Sequence, residues 1–381
     1  MVVEFDPTQK TKTNLRSHYP DKFLDKTIPD TVPRFCFPEE ELTFDGYDEN
    51  REKIVEEFSF ILTVMDGSRR FGFCRRYRSR KGDVKPFCNV IISNWSSFSL
   101  FQQVMDVIDL LPSEEVIVSF LKLLLSKPFP AKEETVAVEL NVNNEKSNTF
   151  RFTRSSNPYE FLDYVSYEPL FKTCSVKTIM LLFSALLSES HVIGIGKTLP
   201  HISACMNALT SLIYPFNWQH VFIPILPKQL IEFVEAPMPF LIGMLSDAGP
   251  LLEEREIEEG TLILNFDNDT FIKAPAVIEE TLPSTLATSL KRNLTRLKTS
   301  EIRGQAFNQL VAHIFLRFWV DIFVNYRTCF GTPQGEHNFD VQKFIKSRPK
   351  QMLSFLQKFE RTQMFFMFIE EQEQLSAASK L

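Results

Sequence analysis

The chain has 381 residues, 44% of them apolar and 24% charged, and a formal net charge of −6. That length can hold two or three packed units. The acidic balance provides no basic field, so nucleic acid is not expected as a partner. Phenylalanine is abundant, 37 residues against 8 tyrosines and 3 tryptophans, enough for a large aromatic core. The opening MVVEFDPTQKTKTNLRSHYP contains no apolar run of signal-peptide length. No window reads as long enough to span a bilayer. The six cysteines are scattered and read as reduced core thiols.

Residues 1–30 are polar and aperiodic, and read as a flexible tail. Residues 32–38 read as a short strand fenced by prolines, and the acidic stretch 39–57 as a loop. The alternation in FSFILTVM and RRFGFCRRY, on either side of Asp66-Gly67, predicts an antiparallel hairpin over 58–65 and 69–75. Residues 87–93 offer a third strand. Phe98, Phe101, Val104, Met105 and Ile108 recur at helical spacing. A second helix opens at Ser113, with Glu114 and Glu115 in its first turn, and ends by Pro128. TVAVELNV and TFRFTR predict two strands inside 131–168, a segment read as a connection between lobes. Helices at 170–188, 200–212 and 228–234 then alternate with strands at 191–195, 220–226 and 240–245, which predicts parallel pairing. Strands at 260–266 and 270–274 close this region. From Pro283 the chain reads as helical. A wide stripe runs from Phe307 through Phe315, Phe318 and Trp319 to Phe323.

Gly194-Ile195-Gly196-Lys197-Thr198 invites a nucleotide reading, because it follows a strand and precedes a helix. A phosphate loop, however, needs a glycine where His191 stands. The dinucleotide pattern needs one where Leu199 stands. There is no HExxH pair, no cysteine pair at zinc spacing and no GxSxG elbow. No catalytic residue, metal or cofactor is therefore expected. The basic residues Arg69, Arg70, Arg75, Arg76, Arg78, Arg80, Lys81 and Lys85 alternate in part with Phe71 and Phe73, and read as an exposed hairpin. Arg75 to Lys85 could meet a membrane surface peripherally, or an acidic partner. In Ala236-Pro237-Met238-Pro239-Phe240 two prolines stiffen a loop. Met238 and Phe240 are either tips for a protein partner or plugs of the core.

Three blocks of sequence, in order, resemble the DENN domain. The first comprises PRFCFP, FSFILTVMDGSRRFGFCRRY and NVIISNWSSFSLFQQVMD. The second is the apolar run from His191 to Met244, with YPFNWQH, IPILP and APMPFLIG. The third is FDVQKFIKSRPKQMLSFLQKFERTQMFFMFIEE, preceded by FWVDIFVNYRTCF. The resemblance covers nearly all the chain from Val32, and its details are most similar to a subgroup of animal DENN proteins linked to late-endosomal Rab GTPases. It implies an α/β (α+β), bilobed fold: a longin-like upstream lobe over 31–130, a central α/β core over 169–275 and a downstream helical region over 276–381. It also implies guanine nucleotide exchange on a Rab-family GTPase gripped between the lobes, by differential binding and without covalent chemistry. The alternative is a scaffold that holds a GTPase or trafficking complex without exchange. The chain is expected to be monomeric and cytoplasmic, recruited to endosomal or other vesicle membranes. No single finger residue can be carried over from the family. The expected contact surfaces are Ser93, Asn94 and Trp95 in the first lobe, and Trp218, Gln219, His220, Pro237, Met238, Pro239 and Phe240 in the second.

Overall fold

The computed structural model describes residues 1–6, 8, 12–20, 27–39, 41–63, 68–82, 84–141, 147–157, 159–274, 282–331 and 339–378. The expected turn at Asp66-Gly67 and most of the turn at 143–148 lie outside them. The chain divides into two units. One comprises Met1–Val165, Lys197–Ser203 and Pro224–Ile231, and the other Ser166–Gly196, Ala204–Ile223 and Glu232–Leu381.

The first unit starts inside its sheet. Strands β1 (Val2–Phe5) and β2 (Thr13–Ser17) pair with each other, and β1 also pairs with a later strand, so 1–30 is not a tail. Val3 and Phe5 are buried and their neighbours less so, the alternation of a half-covered strand. The proline-fenced segment is helix α1 (Ile28–Cys36), not a strand. Pro29 falls in its first turn, where no N–H is missed. Ile28, Val32, Phe35 and Cys36 then lie on one buried face. Strand β3 (Lys53–Thr63) begins earlier than expected and pairs in register with β4 (Arg69–Ser79), which pairs with β5 (Phe87–Ser93). The five-stranded antiparallel sheet has the order β2-β1-β5-β4-β3.

Helices α2 (Phe98–Leu110) and α3 (Glu114–Leu125) follow, then the hairpin β6 (Thr135–Asn141) and β7 (Ser147–Thr153). Both strands of that hairpin were legible. Its place was not: Val138, Leu140 and Phe152 share a buried cluster with Leu100, Val104 and Phe120. The segment 131–168 is therefore mostly part of the first unit's core and not a link outside it.

In the second unit the expected long helix is broken into α4 (Glu168–Thr173) and α5 (Val176–Leu187), the latter capped by Ser175, which accepts from the Thr178 N–H. Strand β8 (Val192–Gly196), helix α6 (Leu199–Leu212), edge strand β9 (Val221–Ile223) and strand β10 (Phe240–Leu245) follow. After α7 (Gly249–Glu253) come β11 (Leu262–Asn265) and β12 (Thr270–Lys273). The order is β12-β11-β8-β10-β9, parallel except for β12, as the helix–strand alternation predicts. It is a different sheet from the one holding β3 and β4. A Cβ on Gly194 would come within 2.2 Å of the Phe266 ring, so the glycine serves packing and no phosphate cradle.

The remainder is helical: α8 (Ser284–Lys298), α9 (Gly304–Phe323), α10 (Val341–Lys346), α11 (Lys350–Phe359) and α12 (Gln363–Ala378). By length and composition, Gly304–Cys329 could cross a membrane, contrary to the expectation from sequence. Its stripe is spent otherwise. Phe307, Val311, Phe315, Phe318, Trp319 and Ile322 are buried, and the Trp319 ring meets Phe216, Phe318 and Phe359 at centroid separations of 4.5–5.2 Å. This is a core helix.

Candidate partner-binding site

The basic hairpin is only partly a surface. Cross-strand register places Arg76 of β4 opposite Glu56 and Arg75 opposite Glu57. Arg76 is buried, donating from Nε to Glu56 Oε2 at 2.7 Å and from Nη1 to Glu39 Oε1 at 2.7 Å. The Arg78 Nε lies 2.8 Å from Glu56 Oε2. On the opposite face Arg75 donates to Glu57, Asp106 and Asp109 at 2.7–2.8 Å. Burial opposes the Glu56 carboxylate, but Arg76 and Arg78, with a hydrogen bond from the Tyr47 hydroxyl, outweigh it and hold its pKa low. Lys81 pairs with Glu52 and Lys85 with Asp6, and Arg80 lies over the Phe44 ring. Arg75, Arg76 and Arg78 are thus withdrawn from any membrane surface, whereas the Lys81 and Lys85 side chains remain exposed in their ion pairs. Acids from β3, α2 and the stretch before β3 neutralise Arg75, Arg76 and Arg78 of β4.

The predicted first-unit residues lie together at the end of β5. Ser93 is half-buried, and its Oγ accepts from the Trp95 N–H at 3.0 Å. Asn94 is exposed, and its Oδ1 accepts from Arg70 Nη1 at 2.5 Å. Trp95 is 53% exposed and stacks on Phe129 at 5.5 Å, with the Arg154 guanidinium over both rings. Ser93 and Phe129 also line a cavity of about 540 Å³ with Val104, Ile108, Leu121 and Leu124 of α2 and α3. Only Phe120 of α3 is fully buried, and Leu123 and Leu125 are exposed.

In the second unit the register Phe240↔Val221 sets the entries to β9 and β10 side by side at the amino ends of the parallel strands. Two predicted residues leave the surface. Trp218 is buried, its Nε1 donating to the Val221 carbonyl at 3.1 Å. Phe240 is wholly buried, edge-on to His191 at 4.6 Å. A side chain at the first position of an interior strand belongs to the sheet, so of the two readings of the proline loop Phe240 takes the core plug. Met238 takes the tip, 51% exposed between Pro237, which is exposed, and Pro239, half-buried. Phe233 is exposed in the preceding 3-10 turn. Gln219 is exposed. His220 is half-buried, with Nε2 3.1 Å from Glu189 Oε2. The same carboxylate accepts the first N–H groups of α12, from Gln363 at 3.0 Å and Met364 at 2.9 Å. His220 is thus a positioning residue that joins the β9 entry to the start of α12.

Beside it, Asn217, Gln219, Met367, Phe368, Glu370 and Glu371 line a groove of about 360 Å³, with Phe366 60% exposed on the same helix. The stripe in MFFMFIEE is apolar on more sides than one helix face can bury, and that was the missed signal. Both surfaces combine exposed rings and thioethers with amides and a few charges, which is the composition of a protein-contact patch.

The uDENN domain family model matches residues 13–77, the DENN (AEX-3) domain model residues 84–269 and the dDENN domain model residues 339–381. The central match therefore takes in NVIISNWSSFSLFQQVMD, which the sequence reading had put upstream. DENN domain-containing protein 2B of Mus musculus is 35% identical over 358 residues, covering 90% of this chain and 31% of that protein. DENN domain-containing protein 2A of Mus musculus is 33% identical over 359 residues, with 90% and 35% covered. The chain spans about a third of these relatives. DENN domain-containing protein 2D of Homo sapiens is 30% identical over 353 residues, covering 90% of this chain and 72% of that protein. With upstream, central and downstream modules in order on one polypeptide, the chain belongs to the DENN domain family.

Proposed function

We propose that this chain is a guanine nucleotide exchange factor for a Rab-family small GTPase. The observation that carries the proposal is the ordered set of three DENN modules, at 13–77, 84–269 and 339–381, on one chain. Exposed side chains in each unit are compatible with it: Asn94 and Trp95 with Phe129 and Arg154 in the first, Gln219 and Met238 with the exposed part of α12 in the second. Exchange by such surfaces is differential binding. The factor holds the nucleotide-free GTPase more tightly than the loaded one, and that difference lowers nucleotide affinity. The setting we propose is cytoplasmic, on vesicle membranes of the endosomal system.

The test is release of fluorescent GDP from a panel of purified Rab proteins. The expected result is acceleration with at least one of them, and endosomal members are the first to try. Residues 1–165 or 166–381 alone should give little, since each carries half of the contact surface. No acceleration on any Rab, with binding retained, would replace exchange by the scaffold reading.

A further inference from the structure

Three of the six cysteines meet inside the first unit. Cys36 ends α1, Cys74 lies in β4 and Cys88 in β5. The register Cys74↔Val90 and Arg76↔Cys88 puts both strand cysteines on the face that carries Arg76. All three are fully buried, and their Sγ atoms lie within 4.8 Å of one another. Three sulfurs bound at 2.3 Å around one ion sit about 4 Å apart. The cluster therefore needs a contraction of less than an ångström to become a trigonal thiolate site.

We propose that Cys36, Cys74 and Cys88 form a buried site for a soft d10 metal ion, zinc or copper(I). Thiolate sulfur selects these ions over hard cations. Binding releases the thiol protons to solvent, with no change of oxidation state. The ion would pin α1 to β4 and β5. Spacing along the sequence could not reveal the site, because its ligands come from three separate elements. It is independent of nucleotide exchange.

The whole chain, purified under reducing conditions, is to be stripped with a chelator and titrated with Zn²⁺, and separately with Cu⁺ under anaerobic conditions. Cd²⁺ serves as a spectroscopic probe through its thiolate charge-transfer band. The expected result is one equivalent per chain at submicromolar affinity, with the unfolding midpoint raised by about 5 °C at a hundredfold excess over Kd. The stronger of the two titrations identifies the ion. Cys88→Ser and Cys74→Ala should each abolish the equivalent, and Cys329→Ala should leave it intact. If either cluster variant fails to fold, the Cd²⁺ band and stoichiometry of the parent chain decide. A folded chain that binds none of the three ions, or that binds them equally after Cys88→Ser, overturns the proposal.

Discussion

Both units bury rings, but they differ in what else their cores hold. The first buries charge: Arg76, Glu56 and Glu39 lie under α1, and Arg75 lies under α2 with Asp106 and Asp109 at its rim. The second buries rings, with Phe183, Phe216, Phe318, Trp319 and Phe359 in mutual contact. An ion-pair core is brittle, because deleting one member strands its partner in a medium that cannot solvate it. A ring core is graded, because each deletion costs the lost contacts and whatever cavity fails to collapse. Hydropathy alone would have put the charges outside. What puts them inside is the availability of partners in register.

The largest effect should therefore come from Arg76→Met. Removing the guanidinium leaves Glu39 without its ion-pair partner and Glu56 with Arg78 and the Tyr47 hydroxyl, and the expected loss is about 3–5 kcal/mol in urea unfolding at neutral pH. The pH dependence carries a sign. In the parent chain the Glu56 carboxyl is held below its ordinary value, so the pair's contribution is complete at neutral pH. It is lost as pH falls past about 4.3 and on through the folded value. In the variant the Glu56 carboxyl, relieved of one of its two guanidinium partners, can escape by taking a proton, so the deficit should shrink on acidification. A deficit that stays constant from pH 7 to pH 4 would mean that the loss comes from packing and not from charge.

Phe318→Ala tests the other core. The ring is buried against Phe183, Trp319 and Phe355 at 5.2–6.2 Å, and its removal should cost about 3–5 kcal/mol. Phe318→Leu should recover most of that, since the site then keeps its apolar volume. No hydrophobic isostere of this kind is open to Arg76 while both of its acids remain. If Leu at 318 proves as harmful as Ala, the ring cluster is as brittle as the charge cluster, and the contrast between the units fails.

Most of the strands and helices were legible because their periodicity is local. The antiparallel hairpin, the α9 stripe and the parallel pairing in the second sheet follow from patterns within one or two elements. What stayed hidden was set by partners far off in sequence. Arg76 looks exposed until Glu56, 20 residues upstream, and Glu39, 37 residues upstream, are placed beside it. The prolines at 33 and 38 looked like strand fences, although the helix carries the first in its interior and ends before the second. Of the candidate contact residues, those on loops stayed at the surface, as Asn94, Trp95, Gln219 and Met238 show. Phe240, at the start of a strand flanked on both sides, went inside. Trp218 went inside because its indole N–H found a carbonyl three residues on.

Glu189 is a polar tie within the ring-filled unit, and its effect should be intermediate. Its backbone is left-handed (φ 48°), and its carboxylate accepts two N–H groups at the start of α12 while meeting His220. Glu189→Ala should cost about 1–2 kcal/mol, the scale of losing a helix cap. Glu189→Gln keeps one accepting oxygen and should cost less. Hydrogen exchange of the Gln363 and Met364 amides would locate the damage. Unchanged protection there would show that the carboxylate does not hold the helix.

The smallest change in stability should come from Met238→Asp, which lies outside both cores. The side chain is half-exposed on a loop held by Pro237 and Pro239, so the fold should lose no more than about 0.5 kcal/mol. Exchange should respond differently. A charge placed on an apolar contact penalises the complex and not the free chain. GDP release should slow about tenfold or more, equivalent to at least ~1.4 kcal/mol of transition-state stabilisation. Phe240→Leu is the matched control: it alters a buried neighbour two residues away, and should shift stability while leaving exchange per folded molecule unchanged. If Met238→Asp exchanges at the parent rate, the proline loop is no part of the contact surface, and the search moves to the exposed face of α12 around Phe366 and Met367. A loss of activity in both variants, scaled to their loss of folded protein, would assign the loop a structural role alone.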